Sequence, residues 1–260
     1  MWASFVAVGD SFSEGLDDPY PDGGGFRGWA DLVAAALARQ REDFGYANLA
    51  VRGRLFHRVV DEQLPAALAM GAELVSFAAG GNDVLRRRFD PAALVSRFDA
   101  TVGQLRATGA DVLLFRFADV TARLPGRRLI APRVELLNRA VADTARRHRA
   151  LLVDVAADRE FDNPALWSAD RLHLSTAGHR RVAAHVLAAL GVDPEPGWWH
   201  LPPQPGVRPW LAARSADLVW AGRHLAPWVR RRLTGRSSGD LVNPKRPALG
   251  PFPSGRPGSG

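Results

Sequence analysis

Short apolar runs alternate with amphipathic segments along the first three quarters of the chain. The apolar runs predict five strands, at residues 4–10, 46–50, 73–79, 112–117 and 151–155. Between and after them, apolar residues recur three and four positions apart, which predicts five helices, although Pro65 is expected to kink or break the second. Strands that alternate with helices indicate a parallel sheet covered on both faces. We therefore expect one three-layer α/β/α domain over residues 1–192.

The remaining residues lack this alternation. Residues 193–209 contain six prolines and predict a linker or a strap over the domain, which Trp198 and Trp199 would pin in place. Residues 210–233 are expected to form one more helix, which is amphipathic and basic. Residues 234–260 are rich in Gly, Ser and Pro and are expected to be disordered.

The positive charge of the chain is concentrated in this C-terminal quarter. The formal net charge is +7. Residues 1–193 contain 24 Arg and 24 acidic residues, whereas residues 194–260 contain 10 Lys and Arg against 3 acidic residues. A neutral body with a basic appendage is therefore expected. The predicted basic helix could pack its apolar face on the body, which we favour, or contact an anionic membrane surface or a partner.

Composition excludes several classes of chemistry. With no cysteine, the chain has no disulfide, no thiolate nucleophile and no cysteine metal site. The sequence has no metal-ligand spacing, no glycine-rich phosphate loop before a lysine and no nucleic-acid module, so we expect no metal, no cofactor and no nucleic-acid partner. It has no run of about 18 apolar residues and no secretory signal, so a cytoplasmic protein is expected.

The stretch VAVGDSFSEG, residues 6–15, carries the first candidate chemistry. Its apolar start predicts a buried strand that stops at Gly9-Asp10-Ser11 and passes into a loop or a helix. Ser11 then stands at the carboxyl end of a central strand, where open α/β sheets place their ligands, and could act as a nucleophile. The same residues also fit Ser-x-x-Glu, a helix capping box, and taken alone they leave both interpretations open.

Polar residues at three later points favour the interpretation of Ser11 as a nucleophile. Gly53 follows the second predicted strand, Asn82 follows the third, and Asp170 and His173 precede the last helix. A serine nucleophile needs a histidine that takes its proton and a carboxylate that holds the histidine, and a single turn can bring Asp170 against His173. The Asn82 amide and backbone N–H groups, one of them beside a glycine, are suitable donors for the oxyanion of the transition state.

Four sequence blocks carry these residues over about residues 4–190. They are Gly9-Asp10-Ser11-Phe12-Ser13, Asn48-Leu49-Ala50-Val51-Arg52-Gly53, Gly80-Gly81-Asn82-Asp83 and Asp170-Arg171-Leu172-His173. In their order and spacing the chain resembles the SGNH, or GDSL-type, hydrolase family, although Ala50 stands where many members have glycine. The resemblance implies a flavodoxin-like sheet of five parallel strands in the order 2-1-3-4-5.

The resemblance also implies a site. Ser11 would be the nucleophile, His173 the general base and Asp170 its partner. The backbone N–H groups of Ser11 and Gly53 and the side chain of Asn82 would form the oxyanion hole.

The other polar candidates are expected to have structural roles. His179 and His185 should pack or lie on the surface of the last helix, and His57 should lie on a helix surface, although it could line the pocket. Asp10 is expected to fix the turn, Asp83 to orient the Asn82 loop or cap a helix, Asp154 to be structural, and Arg86, Arg87 and Arg88 to form a solvated face.

The sequence therefore predicts a serine hydrolase that cleaves small-molecule carboxylic esters. Short acyl chains are expected, because no long apolar lid is inserted in the sequence. Thioesters, lysophospholipids and acetylated sugars remain alternative substrates for the same triad. A protein of another class, which binds or scaffolds through its basic helix, is the competing hypothesis. The natural substrate and the oligomeric state do not follow from the sequence.

Overall fold

The computed structural model of the chain describes residues 1–203, 210–227, 230 and 237–252. Six strands form one sheet in the order β5-β4-β3-β1-β2-β6. They are β1 (Ser4–Gly9), β2 (Gly45–Asn48), β3 (Leu74–Ala78), β4 (Asp111–Arg116), β5 (Leu151–Asp154) and β6 (Arg246–Pro251). The first five strands pair in parallel, and β6 pairs antiparallel with β2. The predicted order 2-1-3-4-5 is thus confirmed for the parallel strands, and the sheet has six strands instead of five.

Helices cover both faces of the sheet. They are α1 (Ser11–Glu14), α2 (Gly28–Ala38), α3 (Phe56–Met70), α4 (Gly81–Val84), α5 (Pro91–Ala107), α6 (Arg127–His148), α7 (Thr176–Ala189) and α8 (Trp210–Trp220). α2 and α7 pack together on one face, and α3, α5 and α6 cover the other. β1 and β3 are buried at every residue because helices exclude water from both sides, which explains why their sequences are mostly apolar. The predicted three-layer α/β/α architecture is confirmed.

Helix α3 runs through Pro65 without the break that the sequence suggested. Leu64 and Ala67, on either side of the proline, are buried in the same apolar cluster. Packing on both sides therefore outweighs the one backbone hydrogen bond that a proline cannot donate.

The carboxyl ends of β1 and β3 turn directly into the short helices α1 and α4. β1 is hydrogen-bonded to both β2 and β3, and all three strands run in the same direction. The turns that follow these three strands therefore open at one edge of the sheet. This edge is where the candidate site is expected.

The sixth strand lies where the sequence predicts disorder. β6 occupies the outer side of β2, which would otherwise be a free edge of the sheet. The prediction of a disordered tail is therefore wrong for residues 237–252, whereas residues 234–236 and 253–260 lie outside the described part of the chain. β6 contains two prolines and has no apolar alternation, which is typical of an edge strand that pairs with free backbone groups and buries no face of its own.

Lys245, the only lysine in the chain, anchors this tail to the body. Its Nζ lies 2.8 Å from Asp31 Oδ1 and also donates to two backbone carbonyls at the start of α2. Asp31 is buried and accepts further hydrogen bonds from the hydroxyls of Tyr20 and Tyr46. Burial lowers the pKa of Lys245, so its charge depends on the carboxylate that faces it.

The described part of the Pro-rich segment contacts the domain through its first tryptophan. Pro196–Trp199 form one 3₁₀ turn, which buries Trp198 in the apolar cluster beneath α2 and α7. Pro205 and Pro209, which belong to the same predicted strap, lie outside the described residues.

Helix α8 continues into a π-helical turn at Ala221–Leu225. Of the predicted helix 210–233, residues 228–229 and 231–233 lie outside the described part of the chain. One side of α8 contacts the body, whereas Leu218 and Val219 are exposed. Within the described ranges, no helix is both long and apolar enough to cross a membrane.

Replacing Lys245 by methionine tests the anchor. Lys245→Met leaves Asp31 as a buried carboxylate with only hydroxyl partners, and we expect the free energy of unfolding to fall by about 3 kcal/mol. Arg41→Met is the control, because Arg41 pairs with Asp43 on the exposed surface and its loss should change stability little. Urea denaturation measures both variants. Equal losses in the two would contradict the anchoring role.

Candidate active site

Residues 9–14 form a tight turn at the end of β1, here named the nucleophile turn after the role that the sequence predicts for Ser11. Asp10 caps helix α1, since its Oδ1 accepts a hydrogen bond from the backbone N–H of Phe12 at 3.1 Å. Ser11 is the first residue of this helix and not its cap, so the capping-box interpretation is wrong. The contact of Asp10 agrees with the turn-fixing role expected for it, and it leaves the Ser11 hydroxyl available for other partners.

Gly9 lets β1 end close to its neighbour β3. A Cβ on Gly9 would lie 2.5 Å from the carbonyl oxygen of Ala78, so a larger residue would force one of the strands to move. From the other side, Gln63 of α3 holds both backbone groups of Gly9. Its Oε1 accepts from the Gly9 N–H and its Nε2 donates to the Gly9 carbonyl, both at 2.9 Å. The position from which Ser11 projects is therefore fixed on two sides.

Glu14 links the same turn to the loop after β2. Its buried carboxylate accepts from the backbone N–H of Arg52 at 2.6 Å and from Arg52 Nε at 2.9 Å. Arg52 precedes Gly53, whose φ of +71° lies in the left-handed region that favours glycine. The ion pair thus fixes the backbone of Gly53 relative to α1.

Ser11, His173 and Asp170 lie in one hydrogen-bonded chain. His173 Nε2 lies 3.0 Å from Ser11 Oγ, and His173 Nδ1 lies 2.5 Å from Asp170 Oδ2. The second oxygen of Asp170 accepts from Ser168 Oγ and from the backbone N–H groups of Leu172 and His173. This order of hydroxyl, imidazole and carboxylate is the one that serine hydrolysis needs.

Opposing effects set the charge of the imidazole. Burial favours the neutral ring, but the hydrogen bond and the charge of Asp170 outweigh burial and raise the pKa of His173 above its usual value. Burial also acts to raise the pKa of Asp170, but its hydrogen bonds, above all with His173, outweigh burial and hold that pKa well below its usual range. Asp170 is therefore ionised and increases the proton affinity of the ring that would act as the base.

Asp17 lies close to this pair. Its carboxylate is within 4.8 Å of the ligand atoms of Asp170 and His173, and its charge also raises the pKa of His173. The three residues could offer three ligand atoms to a metal. However, Asp170 and His173 are hydrogen-bonded to each other, and the remaining ring nitrogen faces Ser11. We therefore assign no metal to this set.

The three expected oxyanion donors differ in their partners. Within the described part of the chain, the backbone N–H groups of Ser11 and Gly53 donate to no acceptor. Asn82 Nδ2 donates to Asp10 Oδ2 and to the carbonyl of Arg54, both at 3.0 Å. Burial raises the pKa of Asp10 to about 6, and its carboxyl group orients the Asn82 amide toward the nucleophile turn.

The other candidate histidines are His57, His179 and His185, and of these three only His179 lines a cavity beside Ser11. His57 is exposed and lines neither of the cavities beside Ser11. His179 is buried, accepts from a backbone N–H of α2 and donates to the carbonyl of Leu16. Burial lowers the pKa of His179 to about 4, which keeps the ring neutral. His185 lies 2.7 Å from Asp158, far along α7 from the catalytic loop.

The other charged candidates are two aspartates that cap helical segments and the run of three arginines. The Asp83 carboxylate accepts from the first N–H of α3 at 2.8 Å, so it caps the helix that follows the Gly53 loop. Asp154 pairs with Arg116 at 2.6 Å and caps a 3₁₀ turn. Residues 87–88 are exposed as expected, but Arg86 is half-buried and lines a cavity above Ser11.

Three residues at the site carried no sequence signal of their role. Gln63 is a single polar residue on an amphipathic helix, and Asp17 is one of several acids in a loop. Arg171 lies in the fourth block, but nothing predicted that it would adopt a φ of +64° and reach Asp217 in α8 at 2.8 Å. Each of them acts through a partner that is distant in sequence, which a local pattern cannot report.

An apolar cavity of about 120 Å³ opens beside Ser11. Phe12, Phe117, Phe161 and Trp167 supply its aromatic walls, and aliphatic side chains complete it. His173 and Asn82 lie at its mouth together with Ser11. A small hydrophobic group attached to a carbonyl at Ser11 would fit there.

The fold, together with the match to a family model, defines the chain as an SGNH-type hydrolase. The GDSL-like lipase/acylhydrolase family matches residues 7–181, and the chain belongs to that family. The resemblance that the four sequence blocks carry is thereby confirmed. Small-molecule esters are the substrates of this class of enzyme.

Solved structures share the fold over nearly their whole length. TesA is 27% identical over 72% of this chain and 97% of its own, with a TM-score of 0.57. Axe2, an acetylxylan esterase from Geobacillus stearothermophilus, is 18% identical over 76% and 97%, with a TM-score of 0.61. LAE5, an α/β hydrolase enzyme from the metagenome of Lake Arreo, Spain, is 22% identical over 73% and 95%, with a TM-score of 0.60. No curated protein sequence matches the chain significantly.

The contact between Glu14 and Arg52 predicts a loss of rate without a loss of substrate binding. Glu14→Ala removes the carboxylate that holds the loop before Gly53, and we expect kcat for p-nitrophenyl acetate to fall about tenfold at a similar KM. Glu14→Gln keeps an acceptor for the Arg52 N–H and should recover part of the rate. Glu42→Ala, at an exposed position, is the control. A raised KM with unchanged kcat would contradict the role assigned to Glu14.

Proposed function

We propose that the chain hydrolyses carboxylic esters through an acyl-Ser11 intermediate, with Ser11, His173 and Asp170 as its catalytic triad. The observation that carries this proposal is the chain of contacts, 2.5 Å and 3.0 Å long, that connects Asp170 through His173 to the Ser11 hydroxyl. Membership in a family of lipases and acylhydrolases supports acyl transfer as the reaction.

The contacts give each triad residue a step in the reaction. His173 Nε2 takes the proton of the Ser11 hydroxyl as its oxygen attacks the ester carbonyl. Asp170 holds Nδ1–H, which fixes the tautomer and stabilises the imidazolium that forms. The imidazolium then gives its proton to the departing alkoxide, so the alcohol leaves neutral and the acyl group stays on Ser11. Water, deprotonated by the same imidazole, releases the acid and restores Ser11.

The oxyanion would be received by the N–H groups of Ser11 and Gly53 and by the amide of Asn82. Both N–H bonds of the Asn82 amide are already used, toward Asp10 and the Arg54 carbonyl. Donation to the oxyanion therefore requires that Asn82 share or exchange one of these hydrogen bonds. The exchange takes a hydrogen bond from Asp10 or from the Arg54 carbonyl, so the cost of that loss reduces the net gain from the oxyanion contact.

The apolar cavity beside Ser11 supports a short acyl chain. A cavity of about 150 Å³ can hold a benzene molecule, so about 120 Å³ suits an acyl chain of about four to six carbons. Thioesters, lysophospholipids and acetylated sugars present the same carbonyl to Ser11 and remain alternative substrates. The mechanism is the same for each of them; thioesters and acetylated sugars differ in the leaving group, whereas lysophospholipids also carry an acyl chain longer than this cavity.

A series of p-nitrophenyl esters, from acetyl to palmitoyl, tests the proposal. We expect kcat/KM to be highest at short chain lengths, because longer chains exceed the apolar cavity. Ser11→Ala should reduce turnover to the background rate while leaving the melting temperature near that of the wild type. A Ser11→Ala variant that keeps full activity would rule out this mechanism, and an optimum at palmitoyl would rule out the short acyl pocket.

The charge of Asp170 predicts how the site responds to pH. The base works as neutral His173, whose pKa is raised, so kcat/KM should rise with pH and reach half of its maximum above about 6.5. Asp170→Asn removes the charge that opposes burial, so the pKa of His173 should fall. Asp17→Asn should lower it less. Proton NMR of the His173 ring measures this pKa directly and distinguishes it from the titration of Asp10, whose pKa is about 6. An unchanged pKa in Asp170→Asn would contradict the assignment.

A further inference from the structure

A second cavity, of about 300 Å³, meets the first at Ser11. The nucleophile turn, the Gly53 loop and Asn82 form one side of it. The C-terminal segment forms the opposite side, with Trp220, Arg223, His224 and Ser237 among its residues. The appendage that the sequence separates from the hydrolase domain is thus one wall of the catalytic cleft.

This wall contacts the loop of Asp170 and His173 at one point and the Gly53 loop at another. Arg171, between Asp170 and His173, pairs with Asp217 at 2.8 Å and places its guanidinium 4.6 Å from the ring centroid of Trp220. At the other end, the Ser237 hydroxyl donates to the carbonyl of Gly53 at 3.1 Å.

The helix that carries the wall changes its hydrogen-bonding pattern at the cavity. Residues Ala221–Leu225, which include Arg223 and His224, form a π-helical turn. Such turns frequently occur at functional sites, because they redirect side chains that a regular helix would point elsewhere.

Among the described residues, two arginines and one acidic residue line the cavity. Arg86 and Arg223 both line it, and neither forms an ion pair with a carboxylate among the described residues. Arg86 Nε is buried and has no hydrogen-bond partner there. Asp170 is the single acidic residue that lines the described cavity, and it is held by His173 and by backbone N–H groups. A buried donor without an acceptor is costly, and a ligand anion would satisfy it.

We propose that this cavity binds an anionic group, a phosphate or a carboxylate, on the alcohol half of the ester. This inference rests on the proposed function. Two cavities meet at Ser11, and the apolar one suits the acyl chain, so the alcohol half is directed to the other. His173, which gives its proton to the departing alkoxide, also lines this second cavity. Arg86 and Arg223 are specificity-determining residues for that half.

Phenyl acetates with a phosphate, a carboxylate or a neutral carboxamide at the 4-position test this subsite. Each rate is divided by that of alkaline hydrolysis, which removes differences in leaving-group reactivity. We expect the wild type to prefer an anionic ester over the carboxamide by at least about tenfold in kcat/KM. Whichever of phosphate and carboxylate is preferred identifies the anion. Added salt should reduce the preference.

Variants assign the preference to the two arginines. Arg223→Glu changes an exposed residue and should remove or reverse the preference for the anionic ester. Arg86→Gln should lower the ratio of anionic to neutral kcat/KM about tenfold. Arg87→Gln, an exposed neighbour outside the cavity, should keep the wild-type ratio. A wild type without preference, or an equal change of the ratio in Arg87→Gln and Arg223→Glu, would overturn the proposal.

Binding of phenyl phosphate, measured by calorimetry on the full chain, separates this inference from the proposed function. Saturable binding that weakens about tenfold in Arg223→Glu and not in Arg87→Gln supports the subsite even where no ester is cleaved. In that case the proposed function fails and the subsite stands. Hydrolysis of the neutral ester together with identical phenyl phosphate binding in all variants would leave the proposed function intact and reject the subsite.

Discussion

The turn between β1 and α1 is the constraint on which the rest of the site depends. Gly9 lies against the carbonyl of Ala78 and is held from the other side by a glutamine of α3. Two later residues of the turn bind other loops: Asp10 binds Asn82, and Glu14 binds Arg52. A six-residue turn thus contacts the loops after β2 and β3, and its serine contacts the loop before α7. Any shift of the turn would move the Ser11 hydroxyl relative to Gly53 and Asn82, the residues proposed to supply oxyanion donors.

Most of this arrangement could be predicted from the sequence, because the parts that carry it have strong local patterns. The central strands are buried on both faces, so their sequences are short and mostly apolar, without the alternation of a half-exposed strand. Ser11, Asn82 and His173 stand directly after such runs or in late loops, and parallel strands bring the loops that follow them to one edge. The order of the five parallel strands followed from the family resemblance, since periodicity does not report which strands are neighbours.

What could not be predicted depends on partners distant in sequence. Ser-x-x-Glu at residues 11–14 is a good capping box by its local pattern, but Asp10 takes the cap and Glu14 binds Arg52 across the turn. β6 has no pattern of its own, since it forms on the free edge of β2 and is anchored by Lys245 to a buried carboxylate. In both places a tertiary contact overrides the local preference, and the residues nearest the contact look ordinary in the sequence.

Ion pairs attach the basic appendage to the body of the protein. All three acidic residues of the segment 194–260 pair with arginines of the body. These pairs are Glu195 with Arg39, Asp217 with Arg171, and Asp240 with Arg54 and Arg58. The appendage therefore uses its few acids to attach itself, while Arg223 keeps no carboxylate partner among the described residues and lines the catalytic cleft. Arg223 thus brings one positive charge of the appendage into the cleft beside Ser11. A positive charge in a cleft attracts anions before they bind, so it can act on the encounter with a substrate as well as on its affinity.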